Sequence, residues 1–374
     1  MNRDGTSAKA LYTLFEIVTT ALLVPLSVLP LGELAATRPL ELVLIAVILS
    51  LVCGIYIQVI LHELGHLVFG LLSGYEFLML RIGSLALVKI GGHIAVRHVN
   101  GQGSSGQCLM IPPEGDSHST PFVLYNFGGA LMNLLMALLC APVYFFWPTI
   151  PGAIIYIFGI LGVFIFLINW IPVKIGGVPN DGYNSLCCSR SGDARRAFFI
   201  ILKIAGRLYE GIRLKDMDSS WFDIADDLGK DPLTAGLLCF LGSRYMDMGD
   251  MDNARITFER AVEEPGTDAL NRNEALCELV YIASIDNDRE KIRELCTKAL
   301  KKYIRTATES ASARRCAIAC FLLCGKSIDG QSNFDALKAD WRKCVDKYLS
   351  SGAIPLEEEL MNVLERHYVC SHND

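Results

Sequence analysis

Between Ser117 and Val173 the chain contains no Asp, Glu, Lys or Arg. A stretch that long without a charge excludes the surface of an ordinary water-soluble domain and points to lipid as its surroundings. Basic charge is scarce as well. Lys and Arg number 34 against 40 Asp and Glu, for a net charge of -6, and no basic stripe with interleaved aromatics occurs. That excludes a nucleic-acid partner. A disulfide framework is also missing. The 13 cysteines are an odd number at irregular spacings, most of them between Cys239 and Cys370. This excludes a disulfide-stapled secreted module and places that half in a reducing cytosol. Cys316, Cys320 and Cys324 share a helical face and are expected to fill a helix interface.

What is present divides in two. Four apolar segments run at about Ala10 to Leu31, Leu40 to Leu72, Thr120 to Trp147 and Gly152 to Ile171. Each is near the roughly 20 residues that cross a bilayer. The first is long for the apolar core of a signal peptide, with no convincing small-residue cleavage site after it, so an anchor is expected. From Asp193 onward charge is dense and acidic residues predominate. The expected fold is an all-α membrane protein of about four transmembrane helices over residues 1–190, followed by a cytosolic α-helical, repeat-like domain over 191–374. A small β region is expected between spans two and three, where Phe77 to Ile82 and Leu85 to Ile90 read as strands separated by glycine-rich turns. It is either an edge on which an extended substrate pairs or an ordinary surface hairpin. Cys108 to Pro113 reads as a loop.

Positive charge orients the set. Arg3 and Lys9 precede the first span, and the loops at Gly32 to Pro39 and Pro148 to Pro151 hold only Arg38. Arg81, Lys89, Arg97, Lys174, Arg190, Arg195 and Arg196 fall on the other side. Both termini are therefore expected in the cytosol of a cell membrane of bacterial type.

Residues 62 to 66 read His-Glu-Leu-Gly-His at the end of the apolar run Leu42 to Leu61. Charged groups at that depth cost about 2.5–3.5 kcal/mol each. A bound metal compensates them most directly. Positions i and i+4 share a helix face, so His62 and His66 can hold one zinc ion, with Glu63 beside it as a base that is not a ligand. Zinc lowers the pKa of a water it holds to about 7, the usual route to peptide hydrolysis. A third ligand is needed if one position is to stay open. The fourth span ends at Asn169-Trp-Ile-Pro172, and Asp181 is the acidic residue of the irregular stretch that follows. It is the expected third ligand, with a turn aspartate as the plain alternative. Glu114, Asp116, His93, His98 and His118 are the fallback ligands.

These elements together resemble the site-2 protease family of intramembrane zinc metalloproteases. That family pairs H-E-x-G-H with a later N-x-x-P leading to D-G, and with small residues plus Asn in the span between. Here the matching positions are His62 to His66, Asn169 and Pro172 with Asp181-Gly182, and Gly128-Gly129 with Asn133. The resemblance implies cleavage of a transmembrane or membrane-proximal segment, with zinc on His62, His66 and Asp181 and Glu63 as catalytic base. It also implies that Asn169 and Asn133 contact substrate or the transition state. For Asn133 an interhelical hydrogen bond is an equal alternative. The Asn169 to Asp181 stretch is longer than the family's compact form, and Tyr183 stands where a second glycine is usual.

In the helical half, Ala254, Phe258 and Ala261 resemble the second helix of a tetratricopeptide repeat, echoed at Ile292, Cys296 and Ala299 and around Leu337, Trp341 and Cys344. Stacked repeats would offer a concave surface to a cytosolic protein partner. The chain is thus expected to be a zinc endopeptidase acting on a membrane-associated peptide. The alternative is a non-proteolytic membrane receptor or scaffold that recruits partners through its helices.

Overall fold

The computed structural model describes residues 17, 20–21, 25–26, 31–99, 105–115, 120–175, 178–224, 231–324 and 333–372. The expected first span lies largely outside them, as do the fallback ligands Asp116 and His118. The chain divides into two compact units. The first comprises Met1–Ile82, Ser105–Pro113 and Thr120–Leu186; the second comprises Gly83–Ser104, Glu114–Ser119 and Cys187–Asp374.

Three helices of the first unit are long and apolar enough to cross a membrane. Helix α1 (Leu40–Leu72) starts after Pro39 and ends at Ser73, whose hydroxyl donates to the Phe69 carbonyl. Its 33 residues span about 50 Å, more than a hydrocarbon core of about 30 Å. Its outer face is apolar and open, with Ile48, Val52 and Tyr56 exposed. The face turned inward carries Ser50, Gly54, Gln58, His62, His66 and Gly70, one every fourth residue and all buried. Polar-in and apolar-out is the arrangement of a lipid-facing helix.

Helix α2 (Val123–Cys140) is followed by a short turn, α3 (Val143–Phe146), and then by α4 (Ile150–Trp170). Thr149 caps α4 by accepting from the Gly152 N–H. The helix stops where Pro172 forces the preceding Ile171 into an extended conformation (φ -76, ψ 125). Helices α1, α2 and α4 pack on one another. Small residues let them close: a Cβ on Gly65 would lie 2.3 Å from the Gly128 carbonyl oxygen, and one on Gly128 would lie 2.7 Å from that of Gly65.

Strands β1 (Glu76–Ile82) and β4 (Gly106–Ile111) pair antiparallel, with Leu80 opposite Cys108 and a register shift between Phe77 and Met79. Cys108 to Ile111 is therefore strand and not loop. Its backbone groups are taken up by β1, and Gly106, Cys108 and Met110 alternate inward. Both strands pack on α1. After α4, the two-residue strands β5 (Lys174–Ile175) and β6 (Val178–Pro179) form a short hairpin that leads into α5 (Asp181–Arg190).

The second unit contains the antiparallel hairpin of β2 (Leu85–Ile90) and β3 (His93–His98), which turns at Gly91-Gly92. The rest is helical: α6 (Gly192–Tyr209), α7 (Pro232–Asp247), α8 (Met251–Glu263), α9 (Ala269–Ile285), α10 (Arg289–Leu295), α11 (Lys298–Thr306), α12 (Ala311–Cys324), α13 (Phe334–Val345) and α14 (Ile354–His372). Part of the acidic excess serves as caps. Asp231, Asp250, Asp268 and Asp288 each accept from backbone N–H groups in the first turn of α7, α8, α9 and α10. Ala254, Phe258 and Ala261 face the core with Ile292, Cys316, Cys320, Leu337 and Trp341. Helix α9 packs on both α8 and α12, and the intervening α10 and α11 are only 7 and 9 residues long.

Candidate metal centre

The first unit brings His62, His66 and Asp181 together, although His62 and Asp181 lie 119 positions apart in sequence. His62 and His66 fall on the buried face of α1 through the i, i+4 spacing. Asp181 arrives from the start of α5, and two features seat it there. The β5–β6 hairpin absorbs the long stretch after Pro172 and returns the chain to α4, where the Asn180 N–H donates to the Val173 carbonyl at 3.1 Å. The Asn180 side chain then donates to the carbonyls of Ile168 (2.5 Å) and Ile171 (2.7 Å) and accepts from the Val173 and Tyr183 N–H groups at 3.2 and 2.9 Å. This one carboxamide ties the frayed end of α4 to the first turn of α5. Gly182 fits against it, for a Cβ there would meet the Trp170 carbonyl oxygen at 2.3 Å.

The Asp181 Oδ2 lies 3.1 Å from His62 Nε2 and 3.3 Å from His66 Nε2, and the two Nε2 atoms are 3.2 Å apart. Tetrahedral coordination with bonds of about 2.0–2.1 Å sets ligand atoms about 3.3 Å apart, so the three atoms form one face of such a polyhedron. Their protonation agrees. The Nδ1 of His66 lies 2.7 Å from the Tyr125 carbonyl oxygen, which only accepts, so Nδ1 carries the proton. The Nδ1 of His62 lies 2.8 Å from Asn133 Oδ1. In its neutral form each ring then turns an unprotonated Nε2 toward the carboxylate. Three lone pairs facing one another within 3.3 Å repel unless a cation lies among them. The donor set fits a metal ion.

Glu63, adjacent to His62 on α1, is buried. Its carboxylate packs against Gly106 at the start of β4, where a Cβ would come within 2.7 Å of Oε1. Asn133 is fully buried on α2, and its carboxamide is spent between helices: Oδ1 faces His62, and Nδ2 donates to the Gln58 carbonyl (2.9 Å) and to Gln58 Oε1 (2.7 Å). The interhelical hydrogen bond expected as one alternative for Asn133 is thus made. Asn169 donates to the Ile165 carbonyl of its own helix at 3.0 Å, and among the described residues it makes no hydrogen bond to His62, His66 or Asp181. The fallback ligand Glu114 lies exposed in the second unit, 3.9 Å from Lys203. His93 and His98 sit on the β3 strand of that unit, and His62, His66 and Asp181 are the group among the described residues that could hold a metal ion.

Sequence reasoning passed over Asn180 and Gln58. Asn180 had a weak signal as the residue between a proline and the candidate ligand. Gln58 had a stronger one, being the amide four residues before His62 in an otherwise apolar run. Comparisons with protein families, with curated proteins and with solved structures find no match to this chain.

Proposed function

We propose that the chain is an intramembrane zinc metalloendopeptidase of the site-2 protease kind, cutting a transmembrane or membrane-proximal peptide segment. The convergence of a carboxylate from α5 on two imidazoles of a helix of membrane-spanning character, at tetrahedral-edge spacing, carries this reading. Zinc held there would supply Lewis acidity toward the scissile carbonyl and the attacking water. Glu63, next to His62 on the same helix, takes the proton as the water oxygen bonds to the carbonyl carbon. It returns that proton to the amine nitrogen as the C–N bond breaks. A side chain at position 106 would crowd that carboxylate, and glycine there leaves it room.

The reading includes cytosolic termini and a multi-pass topology, with the centre toward the cytosolic side. It also includes a tetratricopeptide-like helical unit that recruits a cytosolic protein partner, which the buried Ala254, Phe258 and Ala261 stripe supports. The test compares cells expressing wild type or Glu63→Gln by mapping new peptide N-termini in membrane proteins. Glu63→Gln is expected to keep its zinc and to lose N-termini that fall in or beside membrane segments, whereas Asp181→Ala loses both. An identical N-terminal profile in wild type and Glu63→Gln refutes the proposal.

A further inference from the structure

Gln58 is a buried amide on α1, one turn before His62. Its Nε2 donates to the Phe158 carbonyl of α4 at 2.9 Å. A main-chain carbonyl only accepts, so this contact fixes which end of the Gln58 amide points where. Oε1 is then left toward α2, where it accepts from Asn133 Nδ2 at 2.7 Å. The Gln58 main-chain carbonyl accepts from the same nitrogen at 2.9 Å. Two acceptors on one side leave Asn133 no choice but to turn Oδ1 to His62, and an acceptor there demands a proton on His62 Nδ1. In the neutral ring the unprotonated Nε2 is thereby aimed at Asp181. The helices are shaped around this chain of contacts, since a Cβ on Gly162 would come 2.8 Å from both Gln58 Nε2 and the Asn133 carbonyl oxygen.

We infer that Gln58 is a positioning residue of the metal centre: through Asn133 it fixes the His62 ring in the one tautomer and orientation that can bind a cation, with a backbone carbonyl of the third described span as the anchor. The inference rests on the metal reading of His62, His66 and Asp181. Outer partners of metal-binding histidines are worth about 10–100-fold in affinity. Gln58 stands one step further out, and the carbonyl of residue 58 stays in place whatever the side chain, so the lower end of that range applies.

The experiment measures zinc affinity of the full-length protein in detergent by competition with a chromophoric chelator, alongside its thermal unfolding. Gln58→Met, similar in size but without the amide, is expected to bind zinc about tenfold more weakly. Gln58→Glu, buried among apolar helices and so protonated, can donate its carboxyl O–H to the Phe158 carbonyl and accept from Asn133, and is expected to restore most of the affinity. Gly162→Ala leaves the amide in place but crowds it, and is expected to weaken zinc binding even if Gln58→Met fails to fold. The inference is overturned if Gln58→Met binds zinc as wild type does, or if Gln58→Glu loses as much as Gln58→Met, which would make residue 58 mere packing. Wild type that binds no zinc overturns the metal reading itself, a separate failure.

Discussion

A methyl group at position 129 is expected to disable the proposed metal centre without replacing any of its three proposed ligands. A Cβ on Gly129 would stand 2.6 Å from both Cε1 and Nε2 of the His62 ring. Ordinary contact begins near 3.4 Å, so the ring has to retreat by about 0.8 Å. Zinc–nitrogen distances tolerate about 0.2 Å, a quarter of that. Nor is the ring free to move, for its Nδ1 is tethered to Asn133 at 2.8 Å and would lose that bond in retreating. The other escape is for α2 to draw back from α1, which opens the Gly65–Gly128 contact and unpacks two spans together. Either route gives up the outer partner of His62, worth about 10–100-fold, along with the ligand geometry. Gly129→Ala should therefore weaken zinc binding by about 100-fold, or about 2.8 kcal/mol. Gly32→Ala is the control, because a Cβ there meets nothing within 4 Å. Chelator competition on the two purified variants reads the difference. Zinc affinity in Gly129→Ala within twofold of wild type would refute the packing argument and with it the placement of His62.

Two further predictions concern the helical unit. Arg315, 1% exposed, bonds both Glu278 oxygens at 2.9 Å and both Glu357 oxygens at 3.1 and 3.2 Å, which joins α9, α12 and α14. Arg315→Met strands two buried carboxylates and should cost about 3–5 kcal/mol in denaturant unfolding; a loss under 1 kcal/mol would mean the cluster is not closed in solution. At the unit's surface, the hydrogen bond from Arg213 holds the Glu359 carboxyl below its ordinary value of 4.5. A lowered folded-state value means the stabilisation is complete above about pH 4.5 and fades as acid protonates the group. Because Glu359 is largely exposed, Glu359→Gln should loosen α14 by under about 1 kcal/mol at pH 7 and by less at pH 3. Hydrogen exchange along α14 checks this, and an equal effect at both pH values would count against it.

Much of this was legible in the sequence because single residues carried it. Uncharged length marked three of the spans, and the i, i+4 histidines marked the face of α1 that had to turn inward. Asp181 was legible because it is the acidic residue of a stretch broken by proline and glycine. The spacing that set Asp181 apart from the compact family pattern becomes a hairpin in the fold. Four residues pair as β5 and β6, and the chain resumes at Asn180 almost where it left. Sequence distance between ligands is no measure of their separation once a local hairpin closes the loop.

Asn180, Gln58 and the orientation of Asn133 were not legible, and for a common reason. An amide is symmetric in outline, so its identity in the sequence says nothing of which end donates. That is settled by carbonyls of other helices: Ile168 and Ile171 for Asn180, Phe158 for Gln58, and the main chain of residue 58 for Asn133. In an apolar medium no water relieves a mispointed amide, so such an error is costly. The polarity of the whole set therefore propagates from fixed backbone acceptors to the imidazole of His62. Side chains that look like incidental polar intrusions in an apolar run are the ones that decide whether a histidine there can bind a cation.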